Sequence, residues 1–463
     1  MNYFLNLNPA RVATWLAVAL VIMVNLNLGL WKHPHRIFRF DILSYYAYLP
    51  ATFVYNDIQL NFTRQAPDRF SNYFWPKTTP DGNLVITASM GMAFMYFPFF
   101  LAAHPVAQFM GYDANGYSQP YAMALIIACI FYLAAGLHFL RRLLEKYFSR
   151  WVTAITIFSV PIATNMLWYS VAEPAMTHIF SFSLIAVFLY CIDKYFDKPE
   201  QKTAVYLGLL AGLISLIRPT NIMILLPFIL WKISTWGDLK NRVVFFYQRY
   251  SQVLIMMAMF FLVWFPQFLY WNLQTGQYLY YSYPDNEKFY WANPHILEGF
   301  FSYRKGWFLY TPLMILIIPG AVFLYRNYRN FFWPFMVFIL INSYITFSWW
   351  CWWYGGGFGQ RSLIDTYALM TFPLAAFLNW AWQQRKVLKI GLTVIWFLFC
   401  LQGIKHHIQY HYGAIHWDSM SKAAYWDSYG RVRPSKDFVN LLEPLDYELA
   451  KTGVYQVVKP ENR

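Results

Sequence analysis

Residues 119–142 read QPYAMALIIACIFYLAAGLHFLRR, an apolar run from 119 to 140 that closes on Arg141-Arg142. About 20 apolar residues in a helix span the hydrocarbon core of a bilayer, so this stretch reads as a transmembrane helix. The two arginines mark its cytoplasmic end by the positive-inside rule. Working outward, further apolar stretches occur at 12–31, 151–169, 177–193, 203–217, 219–231, 251–271, 306–325, 331–350, 363–382 and 387–403. The expected fold is therefore an all-α polytopic membrane protein of about eleven helices. Composition agrees: hydrophobic residues make up 58% of the 463 and charged residues 13%, whereas a soluble domain carries about 25% charged residues. That difference excludes a soluble globular enzyme.

The net charge of +14 does not indicate a nucleic-acid binder, because the basic residues are spread between apolar spans instead of gathered on one soluble face. The four cysteines, Cys129, Cys191, Cys351 and Cys400, lie in or beside apolar segments without C-x-x-C or Cys/His spacing. Neither a zinc site nor a disulfide framework follows from them.

One further apolar segment, 84–109, contains Gly91, Pro98, His104 and Pro105. If it crossed the membrane, Arg141, Arg142, Lys146 and Arg150 would fall outside and every later loop would invert; an interfacial helix on the outer face keeps them inside. With the interfacial choice the N-terminus is cytoplasmic. Outer segments then run over 32–118 and 272–305, and an outer C-terminal segment begins at 404, leaving a transmembrane domain of 1–403 and a small outer-face segment of 404–463. The pair 203–217 and 219–231, broken at Arg218-Pro219, reads as a hairpin with its tip at the outer face.

Ionisable residues at membrane faces are costly and so are site candidates by default. On the outer face these are Asp41, Glu173, His178, Arg218, Arg361 and Asp365, the last one helical turn beyond Arg361. A carboxylate that takes a proton from an attacking hydroxyl, with guanidinium groups that hold a phosphate leaving group, would make a transferase cleft. The second acid and the histidine would orient an acceptor or help to bind a divalent cation, although no tight ligand spacing exists. Plainer roles stand beside these. Asp41 and Glu173 would cap helices, the latter with Pro174 at the first helical position, and Arg218 and Arg361 would snorkel to the interface. Gly355-Gly356-Gly357-Phe358-Gly359 reads as a tight turn. The aromatic runs at 349–354 and 278–291 are denser than a membrane belt requires and suit a wall for sugar or lipid.

These residues resemble the C-type membrane glycosyltransferases (GT-C), the superfamily that contains protein O-mannosyltransferases and the aminoarabinose transferases acting on lipid A. The resemblance covers the layout of roughly the first 400 residues. It rests on Asp41 with Tyr45-Tyr46, on Gly91 through Pro98-Phe99-Phe100, on Gly208 through Gly212 leading to Arg218-Pro219-Thr220-Asn221, on Gly306 through Pro312, and on Trp353-Tyr354-Gly355-Gly356 through Gly359-Gln360-Arg361. It implies a polyprenyl-phosphate-linked sugar donor, an acceptor in the cell envelope (glycan, lipid or protein), a bacterial inner membrane and an outer-face active site. Asp41 would be the base, Arg218 and Arg361 the phosphate ligands, and Tyr45, His178, Arg304, Lys305 and Asp365 further substrate contacts. Many members carry two adjacent acids where this chain has a lone Asp41 between Phe40 and Ile42. Asp57 is therefore the reserve base, with Glu173 as a second catalytic acid. A transporter or flippase of lipid-linked sugars, and a non-catalytic scaffold with this fold, are the alternatives from other classes.

Overall fold

The computed structural model describes residues 8–283 and 286–458. Over these residues the chain is a helical bundle with one short antiparallel hairpin, β1 (Lys77–Thr78) and β2 (Leu84–Val85), in which Lys77 pairs with Val85 and Thr78 with Leu84. Helix α1 (Pro9–Leu28) begins where the Asn8 side chain accepts the free N–H groups of Ala10 and Arg11, and ends on Gly29 at a φ of +57°. The principal helices that follow are α2 (Asp41–Tyr46), α3 (Gly91–Phe109), α4 (Gln119–Leu144), α5 (Arg150–Ala163), α6 (Thr177–Asp197), α7 (Gln201–Ile217), α8 (Tyr250–Thr275), α9 (Arg329–Ser348), α10 (Tyr367–Trp382) and α11 (Lys386–His411).

Seven helices, α1, α3, α4, α6, α8, α9 and α11, are long and apolar enough to cross a membrane. Several other expected spans are shorter and interrupted. The stretch 151–169 divides at Thr164-Asn165 into α5 and a separate turn of helix, Met166–Val171. The stretch 219–231 is a 3₁₀ segment, Pro219–Ile224, followed by Leu225–Leu230, while 306–325 breaks at Thr311-Pro312 before Ile317–Asn327. Proline removes the ladder hydrogen bond at the last two of these breaks. At Thr164 the freed carbonyl instead receives the His407 ring from α11, at 2.7 Å.

Residues 84–109 hold β2 and the continuous helix α3. Its contacts decide how it sits in the bundle. Just before its first residue, Ser89 donates to Leu216 O at the end of α7 (2.6 Å) and Ile86 N–H reaches the Tyr270 hydroxyl near the end of α8 (2.9 Å). Toward its other end, His104 bonds Tyr121 at the start of α4 (2.6 Å). Between them the Tyr132 hydroxyl donates to Met95 O (3.3 Å), so α3 lies along the first half of α4 at the end of the bundle marked by Leu216 and Tyr270.

Glycine sets the close contact between α7 and α8. Gly208 and Gly212 share one face of α7, and a Cβ at Gly212 would lie 2.9 Å from Phe260 O of α8. Only the absent side chains allow the two backbones to touch. Helix α11 runs past residue 403 to His411, so the bundle extends beyond the boundary expected at 403. The chain after it packs back onto the end of the bundle where α3 lies. Ile415, Met420, Tyr425 and Phe438 form a small core with Tyr310 and Phe358, and Ala450 joins Trp350, Trp352 and Trp353 in another.

Candidate active site

The site is assembled at that same end from residues far apart in sequence. Four glycines between 355 and 359 make the turn that presents Arg361. Gly355 and Gly359 hold φ values of +62° and +59°, a left-handed backbone that glycine adopts without strain. The turn is pinned from behind, where Gly357 N–H donates to Trp417 O (3.1 Å) and the buried Lys305 ammonium group bonds the carbonyls of both Gly357 and Trp417. Arg361 then extends to Asp41, with Nη2 3.1 Å from Oδ2.

Asp41 is the first residue of α2, and Phe40 before it has φ +51° and ψ −137° with its ring 64% exposed. A non-glycine residue in that region costs of order 1–3 kcal/mol, and such strain gathers at functional sites. No side chain caps α2. Asp41 is therefore an ion-pair partner and not a helix cap. Glu173 likewise caps nothing, since α6 starts without a side-chain cap, and it lies 3.7 Å from Arg39.

A second, deeper group centres on Asp365, which is 1% exposed. Its Oδ1 bonds His178 Nδ1 at 3.0 Å, and its Oδ2 accepts from Arg218 Nη1 at 3.2 Å and from Asn221 Nδ2 at 3.0 Å. A carboxylate can only accept, so the Nδ1–H tautomer of His178 follows from the bond and Nε2 is left as a bare acceptor. That Nε2 is buried and has no hydrogen-bond partner among the described residues. Buried polar atoms are nearly always satisfied, so an orphan beside two arginines is a place for a ligand's hydroxyl. The Tyr169 ring stands edge-on to His178 at 5.0 Å, and its hydroxyl accepts Phe358 N–H at 2.9 Å. Tyr45 lies among Asp41, Arg361 and Arg218, where burial, with Asp41 beside it, pushes its phenol well above the ordinary value. It stays a neutral hydroxyl.

Asp41, Glu173, His178, Arg218, Arg361, Asp365 and Tyr45 are thus brought together. Asp57, Arg304 and Lys305 point elsewhere. The Asp57 carboxylate accepts from its own loop, Gln59 N–H at 3.0 Å and Phe62 N–H at 3.2 Å. Arg304 donates to the carbonyls of Asp418 (2.8 Å) and Glu443, and Lys305 to those of Gly357 and Trp417. Both heads are consumed in fastening the C-terminal segment to the glycine turn, so neither is a substrate contact here. Burial pulls the Lys305 ammonium group down to about 7, and its neutral amine still offers two N–H donors for the two carbonyls. The aromatic wall is narrower than expected as well. Trp350, Trp352 and Trp353 are buried in the C-terminal core, leaving Tyr283, Trp349 and Tyr354 toward the cleft side.

Three members of the site were not singled out from sequence. Arg39 and Asn221 had a local signal, the first two residues before Asp41 and the second three after Arg218. Tyr169 had none, because it is placed by the break at Thr164-Asn165. Among the described residues no three His, Cys, Asp or Glu side chains are grouped to hold a metal ion, so no residues are assigned to a divalent cation. No family model matches the chain, and no curated protein matches it.

Proposed function

We propose that this protein is a membrane glycosyltransferase that moves a sugar from a polyprenyl-phosphate carrier to an envelope acceptor, with the cleft on the outer face of a bacterial inner membrane. The observation that carries the reading is the convergence of one half-exposed carboxylate, Asp41, with two arginines and a buried, unpartnered histidine nitrogen. The acceptor hydroxyl oxygen forms the new bond to the anomeric carbon while the bond from that carbon to the phosphate oxygen breaks, inverting the centre. Asp41 takes the hydroxyl proton, and Arg218 and Arg361 receive the phosphate charge that develops on the departing carrier. His178 Nε2 accepts a sugar hydroxyl.

The same reading takes α3 as an interfacial helix and counts the other six long helices, the four shorter apolar helices and α10 as crossings, to give about eleven, with the N-terminus cytoplasmic and the C-terminal segment outside. An apolar cavity of about 790 Å³, walled by Phe300, Trp307, Phe308, Ala321, Phe335 and Ile339, suits the isoprenoid chain. The test is mass spectrometry of polyprenyl-phosphate sugars in cells lacking the protein and complemented with wild type or Asp41→Asn. Donor that accumulates and is cleared only by wild type supports transfer; equal clearance by both sinks the mechanism and moves the scaffold or transport readings ahead.

A further inference from the structure

At rest, the two groups that transfer requires to act separately are bound to each other. Asp41 Oδ2 and Arg361 Nη2 lie 3.1 Å apart, so each fills the place of the other's ligand. The pair is uneven. The Arg361 side chain is 15% exposed and the Asp41 side chain 48%. Arg361 is held at the start of the 3₁₀ segment Arg361–Thr366, and a Cβ at Gly357 would meet its Cδ at 3.3 Å. Asp41 opens a helix of six residues that follows the strained Phe40. An arriving anion therefore meets a guanidinium that is already desolvated and exchanges with a carboxylate that is half in water. Arg218 stands behind with Nη1 on Asp365, and the buried His178 Nε2 beside it is unpartnered.

We propose that Asp41 is the resting occupant of an anion site made by Arg361 and Arg218, and that the phosphodiester anion of the donor must displace it before the carboxylate is free to accept a proton. Donor then binds first and acceptor second, because the base exists in usable form only in the donor complex. This inference rests on the transferase reading and adds an order and a cause to it. The recognised chemistry is a phosphate anion, which the diester donor, a lipid monoester headgroup and free phosphate all supply.

The test measures binding of farnesyl phosphate, inorganic phosphate and farnesol to the full chain in detergent. Asp41→Asn is expected to bind farnesyl phosphate about three- to tenfold more tightly than wild type, since an ion pair of about 1 kcal/mol no longer competes. Farnesol affinity stays unchanged. Asp57→Asn removes a negative charge whose oxygens serve the separate loop of Gln59 and Phe62, and is expected to change affinity by less than about twofold. The gain is also expected to vanish when Arg361→Gln is added. Unchanged or weaker phosphate binding by Asp41→Asn overturns the inference, as does an equal gain in Asp57→Asn or no phosphate binding to either protein. The two readings fail differently. If farnesyl phosphate binds wild type well but Asp41→Asn shows no gain, the lipid-linked donor stands and displacement falls. If inorganic phosphate binds as tightly as farnesyl phosphate and shows the same gain, the displacement stands and the lipid carrier falls.

Discussion

In the last turn of α6, Asp193 is 1% exposed and enclosed by partners: Lys146, Lys232 at 3.0 Å, Trp231 Nε1 at 3.0 Å and the Tyr147 hydroxyl. Asp197, one turn on, binds the same two lysines. In the first turn, about 22 Å away along the helix axis, His178 holds Asp365 with one nitrogen and nothing with the other. Both ends bury charge, but at one both oxygens of the buried carboxylate Asp193 are enclosed by donors, whereas at the other the ring that holds Asp365 keeps a buried nitrogen with no partner among the described residues. A closed lattice of this kind is what fixes helices to one another, whereas an incomplete one is where a ligand completes the set.

If the Asp193 end is structural, its loss shows as stability and not as chemistry. Asp193→Ala leaves two lysines with Asp197 alone and unpairs an indole N–H and a phenol, and is expected to lower unfolding free energy by about 2–5 kcal/mol. Asp193→Asn should cost roughly half of that, because Lys146 is 40% exposed and keeps Asp197. Denaturant melts of the purified protein read both. A variant that folds like wild type but no longer clears donor would make this end catalytic and erase the contrast. Asp41→Asn is the mirror case. Its pair with Arg361 is half in water, so stability is expected to move by less than about 1 kcal/mol, while transfer falls about 10²- to 10⁴-fold. A melt shifted as far as that of Asp193→Ala, with transfer retained, would make Asp41 a fastening of α2.

The same contrast marks what the sequence could disclose. Long apolar runs such as 119–140 are visible because every residue contributes the same sign, and α4 forms where they place it. The break at Arg218-Pro219 shows through its proline, but those at Thr164 and Pro312 are lost in such an average, so shorter helices read as full spans. Arg218 and Arg361 stand out because the expected topology puts them where the positive-inside rule disfavours basic residues. Their partners do not: Asp41 and Arg361 are 320 positions apart, and only tertiary packing joins them. Direction is hidden too. Arg304 and Lys305 carry the same charge as Arg218, and nothing local says that they turn inward to carbonyls while Arg218 turns to Asp365. The Asp193 lattice escaped notice for a related reason, since its lysines already had an explanation as cytoplasmic charge.

Lys305 gives a finer probe of how the open end is held together. Its ammonium group is brought down to about 7, first by burial and then by Arg361 and Arg304, with Asp418 and Glu173 opposing, whereas an exposed lysine lies at about 10.5. Between those values the unfolded chain carries a proton that the folded chain lacks, so this group makes stability rise with pH from about 7 to about 10.5; below about 7 its full penalty is present. Lys305→Met should flatten the thermal-midpoint profile over that window relative to wild type, besides any constant offset from the two lost hydrogen bonds. Parallel profiles would show that Lys305 keeps an ordinary proton affinity and that the glycine turn is not held by a neutral amine.

The smallest expected effect separates the two carboxylates that sequence alone left as rival bases. Asp57 spends both oxygens on its own loop, and asparagine retains one of them as an acceptor for Gln59 N–H. Asp57→Asn is therefore expected to shift stability by less than about 0.5 kcal/mol and to clear donor at the wild-type rate. Asp57→Ala, which removes the acceptor altogether, should cost about 1 kcal/mol of stability, again with no specific loss of transfer. The asparagine variant is the decisive one, because it changes charge and leaves shape alone. A base cannot survive that change, and a loop closure can. If Asp57→Asn melts like wild type yet fails to clear donor, the proton acceptor is Asp57, and the pairing of Asp41 with Arg361 belongs with the closed lattice at the other end of α6.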